Sequence, residues 1–121
     1  MDYLAIAKLR AQGSPNYVVS VGAIASGAEE YHDINTETPD AEKYDFMDSI
    51  LITNNSAQKI EFRLNRYDVY PILGYQVQPI TRRPCRFYTI KNVGALATVA
   101  GEVTVQYRRL PPEIIATTQV R

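Results

Sequence analysis

The chain has 121 residues, 45% of them hydrophobic and 21% charged, with thirteen basic and thirteen acidic side chains for a net charge of zero. That length suits one domain of ordinary size, and the composition excludes a disordered or low-complexity chain. Zero net charge excludes a global field for nucleic acid or an anionic membrane, and a single cysteine excludes an intrachain disulfide or a thiolate metal framework.

Residues 2–11 read as a short N-terminal helix or arm, because Leu4, Ala5, Lys8, Leu9 and Ala11 all tolerate helix. So short a helix is marginal alone and needs a surface to pack on. Met1–Lys8 lacks the charged start and apolar core of a signal peptide, and no apolar run approaches the roughly 18 residues of a membrane helix. A chain folded in a reducing cytoplasm is therefore expected, without a membrane partner.

After the Gly13–Asn16 break the pattern turns to β. Tyr17–Val21 is a β-branched strand closed by Gly22, residues 23–28 read as a bend, and Glu30–Ile34 as a weaker strand. Asn35–Asp48 is acidic, polar and interrupted by Pro39, and is expected to be a long loop of the kind that touches a partner. Ser49–Thr53 and Lys59–Asn65 flank Asn54-Asn55-Ser56 and are expected to form a hairpin. In the second of these, Ile60, Phe62 and Leu64 alternate with Lys59, Glu61 and Arg63, so one face is buried and one wet.

Tyr67–Tyr70 and Tyr75–Ile80 contain or adjoin Pro71 and Pro79, which demotes them to edge strands or loop-like β. Arg86–Lys91 and Glu102–Arg108 are expected to pair across a Gly/Ala-rich connection, with Val103, Val105 and Tyr107 inward. Pro111-Pro112 then stops the strand. The predicted architecture is all-β, a sandwich or barrel of seven or eight short antiparallel strands over residues 17–110. An arm precedes it (1–16) and an extended arm follows it (111–121).

Little in the chain supports catalysis. His32 stands among acids in a weak strand and is expected at the surface, Cys85 is some fifty residues away and expected to be a half-buried structural residue, and no nucleophile elbow or Walker loop is present. The acids of residues 29–48 lack the spacing and glycine of a calcium loop, so no metal and no cofactor is expected. Arg82-Arg83-Pro84-Cys85-Arg86 is the densest basic run; beside Tyr75, Phe87 and Tyr88 it resembles a single-strand-binding surface only faintly.

Charge is instead divided along the chain. Residues 1–48 carry nine acids and three bases, and residues 49–121 carry four acids and ten bases. The arginine run is read as pairing with the acidic loop, either within the domain or between subunits, where complementarity would set register. Ile114-Ile115-Ala116 is apolar enough to dock rather than stay in water. The candidate interface residues are Leu4, Leu9, Asp40, Glu42, Asp45, Arg82, Arg83, Arg86, Ile114, Ile115 and Val120.

The stretches "SILITNNSAQKIEFRLN", "YPILGYQVQPI" and "RFYTIKNVGALATVAGEVTVQYRR" resemble the small jelly-roll or β-sandwich proteins of tailed-phage virions, the capsid decoration (cement) and head or tail accessory modules. The resemblance spans about half the chain, Ser49 to Arg109, and implies a non-enzymatic structural protein stabilising a virion lattice. Its implied partners are the major capsid protein or neighbouring copies of itself, as a homo-oligomer in the virion after synthesis in the host cytoplasm. The alternative from another class is a receptor- or glycan-binding module that stacks its ligand on Tyr67, Tyr70 and Tyr75.

Overall fold

Alternating burial is what the strands are made of. Ile60–Leu64 buries every second residue, as do Val103–Arg108 and most of Met47–Asn54, so each strand turns one apolar row inward. The computed structural model describes residues 12–65 and 67–112. It contains eight strands: β1 Tyr17–Ser20, β2 Glu29–Asp33, β3 Met47–Asn54, β4 Ile60–Leu64, β5 Asp68–Ile72, β6 Gln76–Cys85, β7 Phe87–Asn92 and β8 Val103–Arg108.

These form two four-stranded antiparallel sheets, in the orders β1-β8-β3-β6 and β2-β7-β4-β5. Every connection except β4–β5 passes from one sheet to the other, which is the winding of a jelly roll. The all-β sandwich expected from the sequence is therefore the fold. Ile50, Ile52, Phe62, Leu64, Ile90 and Val105, each 2% exposed or less, meet between the sheets. β5 and β6 are edge strands, as Pro71 and Pro79 required. No helix among the described residues is long and apolar enough to cross a membrane.

Both expected hairpins are corrected. β3 pairs with β6 and β8, whereas β4 pairs with β5 and β7, so residues 54–59 carry the chain between sheets. β7 and β8 likewise belong to different sheets. Period-2 alternation identifies a strand and its buried face, but every inward row in a sandwich looks alike and the partner is left open. The acidic loop is also more ordered than expected. Ile34–Glu37 is a helical turn, α1, in which the Asp33 carboxylate accepts from the Asn35 N–H at 3.1 Å. Pro39–Tyr44 is a 3-10 turn, and Ile34, Ala41 and Tyr44 are buried beneath it.

The chain's entry and exit are clasped together. The Ser14 N–H donates to the Arg109 carbonyl at 2.9 Å, and the Arg109 N–H returns a bond to Ser14 Oγ at 2.7 Å. The predicted helix over 2–11, with Leu4 and Leu9, lies outside the described residues, as does the tail 113–121 with Ile114, Ile115 and Val120.

Phe62 is fully buried and stacks on Tyr88 at 5.1 Å between ring centroids. Phe62→Ala should cost about 3–5 kcal/mol in urea unfolding, because the cavity it leaves is walled by strands of a closed sandwich.

Candidate interaction surfaces

Sandwich winding sorts the connections to two ends. The β2–β3, β4–β5 and β6–β7 connections share one end with the clasped Ser14 and Arg109; the other four connections share the opposite end.

The first end collects every described residue that the sequence marks as a candidate contact. Asp40 accepts from Tyr17 Oη at 2.7 Å and pairs with Lys43 at 2.9 Å; those two bonds hold its carboxyl below the usual range. Glu42 is exposed, and its carbonyl accepts from the Asp45 N–H at 3.1 Å to end the 3-10 turn with Asp45 at φ 76°.

Arg82 and Arg83 sit in a bulge where residues 82–84 face Asp48 alone, and Arg82 adopts φ 62°. Arg82 reaches the Pro111 carbonyl at 3.0 Å and the Asp48 carboxylate at 3.7 Å. Arg83 pairs with Asp68 of β5, and Arg86 lies over the Phe87 ring at 5.4 Å. Within the described residues, then, the arginine run meets residues 35–48 through Arg82 and Asp48, while Arg83 finds its acid on a strand. Arg86 also borders a cavity of about 410 Å3 lined by Phe46, Asn65, Pro84, Cys85 and Phe87.

His32 is not the surface residue its sequence context suggests. It points inward from β2 with its side chain 10% exposed, stacked on Tyr88 at 4.6 Å and 5°. Its Nδ1 lies 2.5 Å from Glu37 and its Nε2 2.7 Å from Glu30. Glu37 Oε1 also accepts from Tyr88 Oη at 2.6 Å and Tyr107 Oη at 2.8 Å, and Tyr107 Oη lies 2.6 Å from Thr38 Oγ1. One carboxylate on α1 thus joins β2, β7 and β8, strands of both sheets.

Burial opposes the charge on His32, but the hydrogen bond and charge of Glu37, then those of Glu30, outweigh it and raise the imidazole above its ordinary pKa. Burial likewise opposes ionisation of Glu37, and the bonds from His32, Tyr88 and Tyr107 outweigh it and lower its pKa. A carboxylate beside each ring nitrogen biases His32 toward the charged form, in which neither nitrogen offers a lone pair. For Cys85, burial first, and the Glu37 charge second, push the thiol up to about 12 and so disfavour the thiolate, and it donates to the Phe87 carbonyl at 3.3 Å. Among the described residues no group of three or more His, Cys, Asp or Glu is placed to hold a metal ion.

The opposite end went unmarked in the sequence reading, although its signal is there. The connections 21–28, 55–59, 73–75 and 93–102 contain twenty-six residues and only two charged side chains, Lys59 and Glu102, in a chain that is 21% charged. Leu73, Tyr75, Leu96 and Val99 stand 52%, 73%, 68% and 65% exposed there. Two asparagines with no exposed surface hold these loops. Asn54 Nδ2 donates to the carbonyls of Gln58 at 2.8 Å and Leu73 at 3.1 Å, and its Oδ1 accepts from Ser56 Oγ at 2.6 Å. Asn92 Nδ2 donates to Ile24 at 3.0 Å and Leu96 at 2.8 Å, and its Oδ1 accepts from the Gly94 N–H at 2.9 Å.

Gly74 packs so closely that a Cβ would come within 2.9 Å of the Ser56 and Ala57 carbonyl oxygens. Beside it, Tyr75 adopts φ 62°, a conformation that costs a bulky side chain about 1–2 kcal/mol. Strain of that kind persists where the surroundings over-determine it, and it is concentrated at contact sites.

No protein-family model and no curated protein matches the sequence. Among solved structures, the cupin domain of Cnp3 from Schizosaccharomyces pombe aligns with 77% of this chain and 59% of its own, at 17% identity and a TM-score of 0.41. A likeness that distant carries no argument about function.

The His32–Glu37 pair makes stability depend on pH in two senses. His32, raised in the fold, stabilises fully below its ordinary pKa near 6.5, and that contribution is lost as pH rises through the folded value. Glu37, lowered in the fold, stabilises above about 4.5 and loses that contribution as pH falls through its folded value. Thermal melts from pH 4 to 9 should therefore peak near the middle, and His32→Gln should flatten the alkaline limb while lowering the peak by about 2 kcal/mol.

Proposed function

We propose that the chain is a non-enzymatic structural protein of an assembled particle, of the decoration or cement type on tailed-phage heads. Its place is then the virion, and its partners the major capsid protein and neighbouring copies. One observation carries this reading: a loop end with only two charged side chains, Lys59 and Glu102, which presents Leu73, Tyr75, Leu96 and Val99 to solvent. Exposed apolar area costs about 25 cal/mol per Å2 in water, and clustering it on one end is typical of a surface that another protein covers. Because Asn54 and Asn92 already fix these loops, little conformational entropy remains to be lost on docking. The charged end, from which both arms depart, supplies polar contacts that select register rather than affinity.

The glycan-binding alternative needs Tyr67, Tyr70 and Tyr75 on one platform. β5 separates Tyr67 from Tyr75, and Tyr70 is half-buried against the core, so no observation favours that reading.

The test is rebinding of purified protein to particles stripped of it, followed by a heat challenge. Leu96→Asp and Val99→Asp should each weaken binding by about tenfold or more at an unchanged melting temperature. Tyr75→Gly should separate the two quantities: stability stays level or rises by up to about 1 kcal/mol as the strained φ is relieved, while binding falls with the lost ring. Stripped particles as heat-resistant as complete ones would end the cement reading.

A further inference from the structure

Beyond β8 the chain steps sideways across the end of the first sheet. The Arg109 guanidinium lies over the Phe46 ring at 3.8 Å and donates to the Tyr44 carbonyl at 2.6 Å. The Leu110 N–H donates to the Asp48 carboxylate of β3 at 2.7 Å, and the Pro111 carbonyl accepts from Arg82 of β6 at 3.0 Å. In the order β1-β8-β3-β6, successive residues thus pass from β8 over β3 to β6. β6 ends in Pro84 and Cys85, which with Phe46, Asn65, Arg86 and Phe87 line the cavity of about 410 Å3. The polar atoms of that lining are committed to its own rim. Asn65 Nδ2 donates to the Pro84 carbonyl at 2.6 Å, Asn65 Oδ1 accepts from the Arg86 N–H at 3.4 Å, and the Cys85 thiol donates to the Phe87 carbonyl. What an occupant meets is chiefly Phe46, Pro84 and Phe87.

We propose that this cavity is the docking site of the chain's own C-terminal segment, which lays an isoleucine of the Ile114-Ile115 pair against Phe46 and Phe87 and sets Glu113 beside Arg86. Reach selects this occupant. Pro111-Pro112 holds the backbone extended, and four extended residues span about 13 Å, so Ile115 can pass from the Arg82 contact to Pro84, two positions further along β6. Chemistry agrees, because a cavity whose polar groups are already paired rewards an aliphatic side chain over a polar ligand. Consecutive side chains of an extended segment point to opposite sides, so a pair of isoleucines offers one to the cavity whichever way the segment is rotated. Charge agrees too: Glu113 is the one acid in residues 103–121, and it arrives beside the arginine run. So short a tether gives the segment a local concentration on the order of millimolar, which a second copy at micromolar concentration does not match. The inference does not rest on the particle reading, which the Leu96 and Val99 end carries.

Nuclear Overhauser spectra of the full chain test it, with isoleucine methyls and phenylalanine rings labelled and the two methyl signals assigned through Ile114→Val and Ile115→Val. A methyl of Ile114 or Ile115 should give cross-peaks to the rings of Phe46 and Phe87. In a one-to-one mixture of chains labelled only at isoleucine with chains labelled only at phenylalanine, those cross-peaks should be absent. Ile114→Asp combined with Ile115→Asp should move the ring signals of Phe46 and Phe87, leave those of Phe62 inside the sandwich in place, and lower the melting temperature by about 5 °C or more. Methyl signals of both isoleucines at free-chain positions would overturn the proposal. So would cross-peaks in the mixed sample, which would put the segment on a second copy, or Phe46 and Phe87 rings unmoved by the double substitution. Particle rebinding reads the opposite end of the molecule, so the two readings fail independently.

Discussion

The fold depends on one constraint: whenever the chain leaves one sheet for the other, its backbone groups lose their ladder partners and must find others. A hairpin solves this locally, with two strands of one sheet bonding across the turn. A jelly roll uses that solution once, between β4 and β5, and everywhere else must satisfy carbonyls and N–H groups that face a gap. Asn54 and Asn92 end β3 and β7 at such gaps, and each side chain donates twice and accepts at least once within the loops. Buried polar groups are tolerable only when paired, and these two are. The loops they hold are fixed by hydrogen bonds rather than by apolar packing, which leaves the apolar side chains free to face outward.

The same reasoning explains what could be read in advance. Strands, their buried rows and the edge positions of β5 and β6 were legible, because alternation and proline act on a single segment. Partner choice was not, since Asn54-Asn55-Ser56 satisfies a hairpin turn and a sheet crossing equally well at the level of residue type. The α1 and 3-10 turns were hidden by their acids: Ile34, Ala41 and Tyr44 are too sparse among them to display a helical period. His32 was misplaced for a related reason. Its neighbours Glu30 and Glu37 look like solvated acids in sequence and become its partners only when α1 folds back over β2. The charge-poor loop end was visible as four intervals with only Lys59 and Glu102 among them, but nothing in a linear reading says that those intervals meet.

Charge in this molecule is arranged by position more than by amount. The net is zero, yet one end carries interlocked arginines and carboxylates, and the opposite end carries only Lys59 and Glu102. One outer face is laced with acids and bases, while the other is hydroxyl, amide and aliphatic. Glu37 stands between these regions and ties the second sheet, through Tyr88, to the first, through Tyr107. The network therefore couples the two sheets across the gap between them.

The clasp between Ser14 and Arg109 makes the domain nearly cyclic. Because the chain enters and leaves at one point, the order in which the strands are synthesised matters less to the finished structure than their adjacency does. A short linker could join the two sides of that point, and the chain could be opened at the β4–β5 turn, its one in-sheet corner, without parting any crossing between sheets. Cargo attached at either side would project from the charged end, behind the surface that faces outward through Tyr75 and Leu96. The fold thus has a built-in back and front, fixed by a two-bond closure that continues the β1–β8 ladder at the charged end.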